Sequence, residues 1–160
     1  MTRQLPGAAE VRELLENLLG RPVTVTPADP PRSADVASTL VSVYVDDKLR
    51  LAGVVGMDFP LTVYSAAAIG LVPPGGAQAS IEDRELPPML AENATEICNV
   101  LCSLLNRPGL AHVRLYQTYL PGQPVPSDAG GHLLALGNRL DLLVEIRGYG
   151  DGKLSLSLAA

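Results

Sequence analysis

Side chains near the end of the chain alternate between apolar and polar with a period of two. Within 139–147 the apolar positions are Leu140, Leu142, Val144 and Ile146, and within 153–158 they are Leu154, Leu156 and Leu158. Successive side chains of a strand point to opposite faces of a sheet, so this pattern predicts two strands with one buried face. Such strands are typical of an antiparallel sheet whose apolar face is covered by helices. The alternation therefore predicts an α+β protein.

Apolar residues also recur with the period of an α-helix. A helix is predicted over 7–19 and a longer one over 82–106, which Arg107-Pro108-Gly109 ends. The apolar stripes of these two helices are Val11, Leu14, Leu15, Leu18 and Leu19, and Leu86, Leu90, Ala94, Ile97, Leu101, Leu104 and Leu105. A third helix, over 61–72, begins after Pro60 and ends at a predicted loop over 73–76.

The remaining segments are predicted to be strands and loops. Strands are expected at 23–26, 39–45, 49–59, 111–120 and 132–136. The last of these is expected to turn at Gly137-Asn138 and pair with 139–147, after a Pro- and Gly-rich loop over 121–131. The predicted architecture is a two-layer sandwich in which a mostly antiparallel sheet packs against two long helices. Residues 1–160 are predicted to form one domain.

Charge and hydropathy exclude some classes of partner. The net charge is −5 and no run of Lys and Arg is present, which argues against nucleic acid. No uninterrupted apolar stretch approaches the length of a membrane span. The first residues lack the apolar core of a signal peptide. With only two cysteines, Cys98 and Cys102, the chain is expected to be a cytoplasmic protein with reduced thiols.

Four polar residues share one stripe of the predicted long helix: Glu92, Glu96, Asn99 and Ser103. Their spacing of four, three and four residues places them on one face, opposite the leucines. Like charges at i,i+4 repel, so Glu92 and Glu96 slightly destabilise the predicted helix, and no structural benefit offsets this effect. The stripe is either a solvated helix face or a site mounted on a rigid element.

The segment Glu96-Ile97-Cys98-Asn99 resembles the Glu-Ile-x-Asn core of the CheC/CheX/FliY family of chemotaxis phosphatases. The stretch 49–71, a Gly-containing strand followed by an Ala-rich helix, resembles the same family. The resemblance covers roughly 36–147. Only one Glu-x-x-Asn copy is present, as in CheX, so the chain resembles that branch most. The sequence departs from the family pattern at Glu92, where Asp or Ser is usual, at Ser103, where Gly is common, and at Gly122, where Pro is expected and Pro121 stands beside it.

The resemblance implies a CheC/CheX-like fold and a phosphatase that hydrolyses the aspartyl phosphate of a CheY-like response regulator. It implies that Asn99 orients the attacking water and that Glu96 pairs with the regulator's active-site Lys, while Glu92 and Ser103 contact the partner. The partner would supply Mg²⁺, so no cofactor or metal is expected in this chain. A homodimer is also implied.

Other readings remain open from the sequence. The same fold can be a non-catalytic module that binds receiver domains, or a dimeric adaptor. Cys98 and Cys102, one helical turn apart, could bind metal or act in redox chemistry, although small residues of a helix interior explain them as well. Asp46, Asp47 and Asp58 are interpreted as turn and strand-end residues.

Overall fold

Six strands form one sheet in the computed structural model, which describes residues 3–159. The strands are β1 (Val23–Pro27), β2 (Leu40–Asp46), β3 (Leu51–Met57), β4 (Val113–Tyr119), β5 (Arg139–Ile146) and β6 (Gly150–Leu158). Their spatial order is β1-β5-β6-β3-β2-β4, and each pair of described neighbours is antiparallel. The predicted α+β fold with an antiparallel sheet is therefore confirmed.

The alternating segments are central to the sheet. β5 pairs with β6 so that Leu142 lies opposite Leu154 and Leu140 opposite Leu156. These are the two strands that the period-two pattern predicts, and they pair directly with each other. The other face of β6 carries Ser155 and Ser157, which are buried as well.

Five α-helices complete the described chain: α1 (Ala8–Leu19), α2 (Phe59–Ile69), α3 (Pro74–Asp83), α4 (Pro88–Leu101) and α5 (Ser127–Leu134). Short 3₁₀ helices lie at Ser33–Ser38 and Cys102–Leu104. The helices α1, α2 and α4 contribute Leu15, Leu61 and Ile97 to the main core, each almost fully buried. The buried alanines of α2 allow this helix to pack closely against both α4 and strand β6 of the sheet.

The predicted helix over 82–106 is wrong in its length. The chain leaves the helical conformation after α3, at Arg84 with φ 54°, and α4 begins only at Pro88. Pro87 and Pro88 lack the N–H that a continuous helix requires, but Pro88 suits a first helical position. The same preference explains why the predicted loop at 73–76 is instead the start of α3, with Pro74 in its first turn.

The predicted strand at 132–136 is also wrong, and so is its hairpin with 139–147. Residues 127–134 form α5, which packs on the sheet face opposite to the other helices. Leu133 contacts Val41 and Val54 there. Gly56 makes room for it, because a Cβ at that glycine would lie 2.7 Å from a methyl carbon of Leu133. The two-layer arrangement thus carries one short helix on its second face.

No helix among residues 3–159 has the length and apolar character needed to cross a membrane.

Candidate functional site

Helix α4 separates a buried side from an exposed side. Its buried residues are Leu90, Ala94, Ile97, Cys98 and Leu101. Glu92, Glu96 and Asn99 lie on the exposed side. The structure therefore brings three of the four predicted site residues together on one solvent-facing strip. Residues at i,i+3 of a helix have Cβ atoms roughly 5–6 Å apart, so Glu96 and Asn99 are neighbours.

The side chains of this strip have no partners within the described part of the chain. Glu92, Glu96 and Asn99 make no hydrogen bond or ion pair with any residue between 3 and 159. Elsewhere on the surface, Glu16 pairs with Arg12 and Glu10 pairs with Arg107. The carboxylate of Glu96 and the amide of Asn99 are thus available to another molecule, and together they offer acceptors and one NH₂ donor.

Ser103 stands apart from the other three. It lies beyond the last residue of α4, in the 3₁₀ turn Cys102–Leu104, and is exposed. There it lines a shallow groove between α4 and α1, together with Val100, Glu13 and Leu14. A 3₁₀ turn rotates 120° per residue, so Ser103 leaves the line set by Glu96 and Asn99. Its predicted partner contact would therefore come from the groove rather than from the strip.

Two hydrogen bonds join α4 to the elements on which it packs. The amide of Asn93 donates to the carbonyl of Ala66 on α2 at 3.1 Å. The hydroxyl of Tyr44 on β2 donates to the carbonyl of Cys98 at 2.6 Å. Sequence reasoning missed both residues. An Asn inside a helix is a detectable signal, because its short amide competes with the helix backbone. Tyr44 fits an ordinary core pattern and carries no such signal.

A third anchor holds the segment after α4. Asn106 donates from its amide nitrogen to the carbonyl of Val113 at 2.9 Å and accepts from the Val113 N–H at 2.8 Å. These two bonds join the end of the helical segment to β4. Together with Asn93 and Tyr44, they fix α4 to three different elements. The exposed strip is consequently mounted on a well-supported helix.

Both cysteines belong to the core. Cys98 is 0% exposed and Cys102 is 8% exposed, as expected for small residues of a helix interior. Burial raises the pKa of the Cys98 thiol to about 12 and also raises the pKa of Cys102. A buried protonated thiol is a poor nucleophile and a poor metal ligand. No group of three metal-ligating side chains occurs within residues 3–159.

The three aspartates assigned to turns behave differently from one another. Asp46 accepts hydrogen bonds from the backbone N–H groups of Lys48 and Arg50, which closes the β2–β3 turn. Asp58 caps α2 by accepting from the Leu61 N–H at 2.9 Å, and its burial raises its pKa. Asp47 is exposed. The turn role predicted for Asp46 is confirmed, and Asp58, predicted as a strand-end residue, lies just after β3 and also caps α2.

The backbone conformation explains why position 122 is glycine and the nearby proline is at 121. Gly122 adopts φ 90° and donates its N–H to the carbonyl of Ala37. Proline cannot take a positive φ and has no N–H to donate. The turn therefore excludes proline at 122, while Pro121 fits the position before it.

No family model and no curated protein matches this sequence. Solved structures do match. The FliM middle domain of Vibrio alginolyticus has a TM-score of 0.61 at 13% identity, and the match covers 94% of this chain and 87% of that chain. A chain of the FliM–SpeE complex from H. pylori has a TM-score of 0.61 at 11% identity, and the match covers 94% of this chain and 80% of that chain. At such identities the similarity shows the fold alone, which is the CheC-like α+β fold.

Proposed function

We propose that this chain hydrolyses the aspartyl phosphate of a CheY-like response regulator in the cytoplasm. One observation carries the proposal. Glu96 and Asn99 are exposed neighbours on a firmly anchored helix, and neither has a partner among the described residues. That arrangement is what a site needs if it acts by entering the active centre of another protein. The resemblance of Glu96-Ile97-Cys98-Asn99 to the phosphatase motif supports the same function.

The chemistry asks little of this chain beyond positioning. A water molecule attacks phosphorus, the bond between phosphorus and the aspartate oxygen breaks, and inorganic phosphate and a free carboxylate are released. The transition state of phosphoryl transfer is loose, so an oriented water and electrostatic stabilisation provide most of the catalysis. The Asn99 amide can accept a hydrogen bond from that water and donate another. The Mg²⁺ and Lys of the regulator would stabilise the phosphoryl oxygens.

Glu96 is proposed to set the register of the two proteins. Its carboxylate is one turn from Asn99 and would pair with the regulator's active-site Lys through a charge-assisted hydrogen bond that fixes the relative position of the two proteins. Glu92 extends the negative strip by one further turn, where it would contact the partner without taking part in the chemistry. The expected partner surface is therefore basic close to its phosphorylation site.

The experiment is a dephosphorylation assay over a panel of phosphorylated response regulators. Wild type should accelerate loss of the phosphoryl group from at least one regulator, and Asn99→Ala should return the rate to background while binding persists. Gln78→Ala is the matched control, because Gln78 is also an exposed side-chain amide on a helix and lies on α3, outside the strip and the groove. Glu82→Ala, on the exposed surface of α3, serves in the same way for Glu96→Ala.

A non-catalytic binding module is the second candidate. It is favoured by the FliM–SpeE complex from H. pylori, in which a chain of similar fold binds another protein. This candidate predicts that a regulator binds and that no variant changes its dephosphorylation. A dimeric adaptor predicts neither turnover nor regulator binding, but self-association at micromolar concentration. Asn99→Ala separates the enzyme from both, since only an enzyme has turnover to lose.

A further inference from the structure

We propose that Tyr44 is a positioning residue for Asn99, acting through the backbone of the helix turn that presents the Asn99 amide. The proposal deepens the function proposed above and rests on it for its catalytic consequence. It begins from the buried hydrogen bond between the Tyr44 hydroxyl and the carbonyl of Cys98. Cys98 is the residue immediately before Asn99, so its carbonyl is part of the peptide unit that joins the two residues.

The donor is itself held in place. Tyr44 is 0% exposed, and its hydroxyl oxygen accepts a hydrogen bond from Ser42 Oγ at 3.0 Å while its proton goes to Cys98 at 2.6 Å. Both residues lie on the core-facing side of β2, a strand paired on both of its edges. Burial raises the pKa of Tyr44, so its hydroxyl keeps its proton throughout the physiological range. A row of hydrogen bonds thus runs from Ser42 on the sheet to the backbone beneath Asn99.

The hydrogen bond from Tyr44 reaches α4 in its last turn, where a helix is least stable. Asn99 lies two residues before the end of α4, and the N–H of Cys102 bonds to the carbonyls of Asn99 and Val100 as the helix tightens into a 3₁₀ turn. The last turn of a helix is where backbone hydrogen bonds are weakest and fraying begins. A catalytic amide must be held within roughly 0.5 Å of its productive position. The Tyr44 hydroxyl supplies a fixed point in a turn that would otherwise move.

The chain contains a matched control for this interaction. Tyr149 donates its hydroxyl to the carbonyl of Val72 at 2.5 Å, which is also a bond from a sheet-side tyrosine to a helix-connecting backbone. Val72 follows α2 and is not part of α4. Tyr149→Phe therefore removes the same kind of hydrogen bond without touching the segment that carries Asn99.

Two readouts test the proposal in wild type, Tyr44→Phe and Tyr149→Phe. The first is steady-state dephosphorylation of the regulator that wild type turns over best. Tyr44→Phe should lower kcat about tenfold or more and change KM less than about twofold, because misplacement affects the oriented water and leaves docking intact. The second is amide hydrogen exchange over residues 99–105, which should accelerate in Tyr44→Phe and stay at the wild-type rate in Tyr149→Phe.

The outcomes separate this proposal from the proposed function. Unchanged kcat and unchanged exchange in Tyr44→Phe would overturn the positioning role. An equal fall in kcat for both tyrosine variants would also overturn it, since general destabilisation would then explain the loss. If wild type turns over no regulator, the proposed phosphatase function is wrong. The hydrogen exchange of Tyr44→Phe still tests the role of Tyr44 in that case, because faster exchange over residues 99–105 supports it and unchanged exchange contradicts it. Should Tyr44→Phe not fold, Ser42→Ala, which removes the donor to the Tyr44 oxygen, is judged by the same readouts.

Discussion

Arg139 is expected to be the charged residue on which the stability of this fold depends most. Its side chain donates from Nε and one terminal nitrogen to Asp141 at 2.7 and 2.8 Å, and both side chains are less than a tenth exposed. Its other terminal nitrogen donates to the carbonyls of Leu133 and Ala135, at 2.9 and 2.7 Å. One guanidinium therefore neutralises a buried carboxylate and also satisfies carbonyl groups at the end of α5.

The magnitude follows from what Arg139→Met leaves behind. Removing one partner of a buried ion pair strands the other charge, at a cost of about 3–5 kcal/mol in the free energy of unfolding. With a urea m-value of about 2 kcal/mol/M, the unfolding midpoint should fall by about 1.5–2.5 M. Arg107→Met is the matched control, because the Arg107–Glu10 pair is far more exposed and should cost about 1 kcal/mol or less.

Urea unfolding followed by far-ultraviolet circular dichroism measures these differences. The double variant Arg139→Met/Asp141→Leu should be at least about 1 kcal/mol more stable than Arg139→Met, since no buried charge is then left unpaired. The reasoning is refuted if Arg139→Met costs no more than Arg107→Met. It is also refuted if removing Asp141 as well brings no recovery, because the stranded carboxylate would then not be the source of the loss.

Further outcomes are expected elsewhere in the molecule. Asn99→Ala should lower kcat by about 100-fold or more in the dephosphorylation assay over the regulator panel, and a fall below about threefold would contradict its role. Burial raises the pKa of Asp141, but the hydrogen bonds from Arg139 and Ser155, together with the positive charges of Arg139 and Lys153, outweigh this effect, and the net pKa is lowered. The ionised Asp141 carboxylate should therefore stabilise the fold at a pH above its unfolded pKa of about 4, and this stabilisation should be lost as the pH falls through its folded pKa. The difference in urea midpoint between wild type and Asp141→Asn should accordingly become smaller from about pH 7 to about pH 3. Gly152→Ala should lower stability by about 1–3 kcal/mol in the same urea assay, because the new Cβ would lie 2.5 Å from the backbone nitrogen of Leu61. Cys98 should resist a thiol reagent at pH 8 in the folded protein and react at once in urea, and rapid labelling without denaturant would disprove its burial.

The candidate site could be predicted from sequence only as far as helix geometry reaches. Glu92, Glu96 and Asn99 share a face because their spacing matches the helical period, and the structure places them together on exposed positions. The same spacing predicts Ser103 on that face, but α4 ends at Leu101 and Ser103 lies in the following 3₁₀ turn, where it lines the groove beside α1. The hydrogen bonds that Asn93 and Tyr44 make beneath the strip join residues 27 and 54 positions apart, and no local pattern encodes such distances.

The sequence by itself determined the elements whose pattern is long and regular. The alternation in β5 and β6 fits only the period of a strand, and the apolar stripe of α1 fits only the period of a helix. Burial of one face is therefore enough to predict the secondary structure of each of these segments from its own residues. The segment 132–136 is too short for its pattern to distinguish a strand from a helix, and tertiary contacts determine its conformation. Leu133 fits the space above Gly56, and Arg139 binds the carbonyls of Leu133 and Ala135. In a short segment, packing and long-range hydrogen bonds exceed the small differences in local propensity, and those contacts exist only once the sheet has formed.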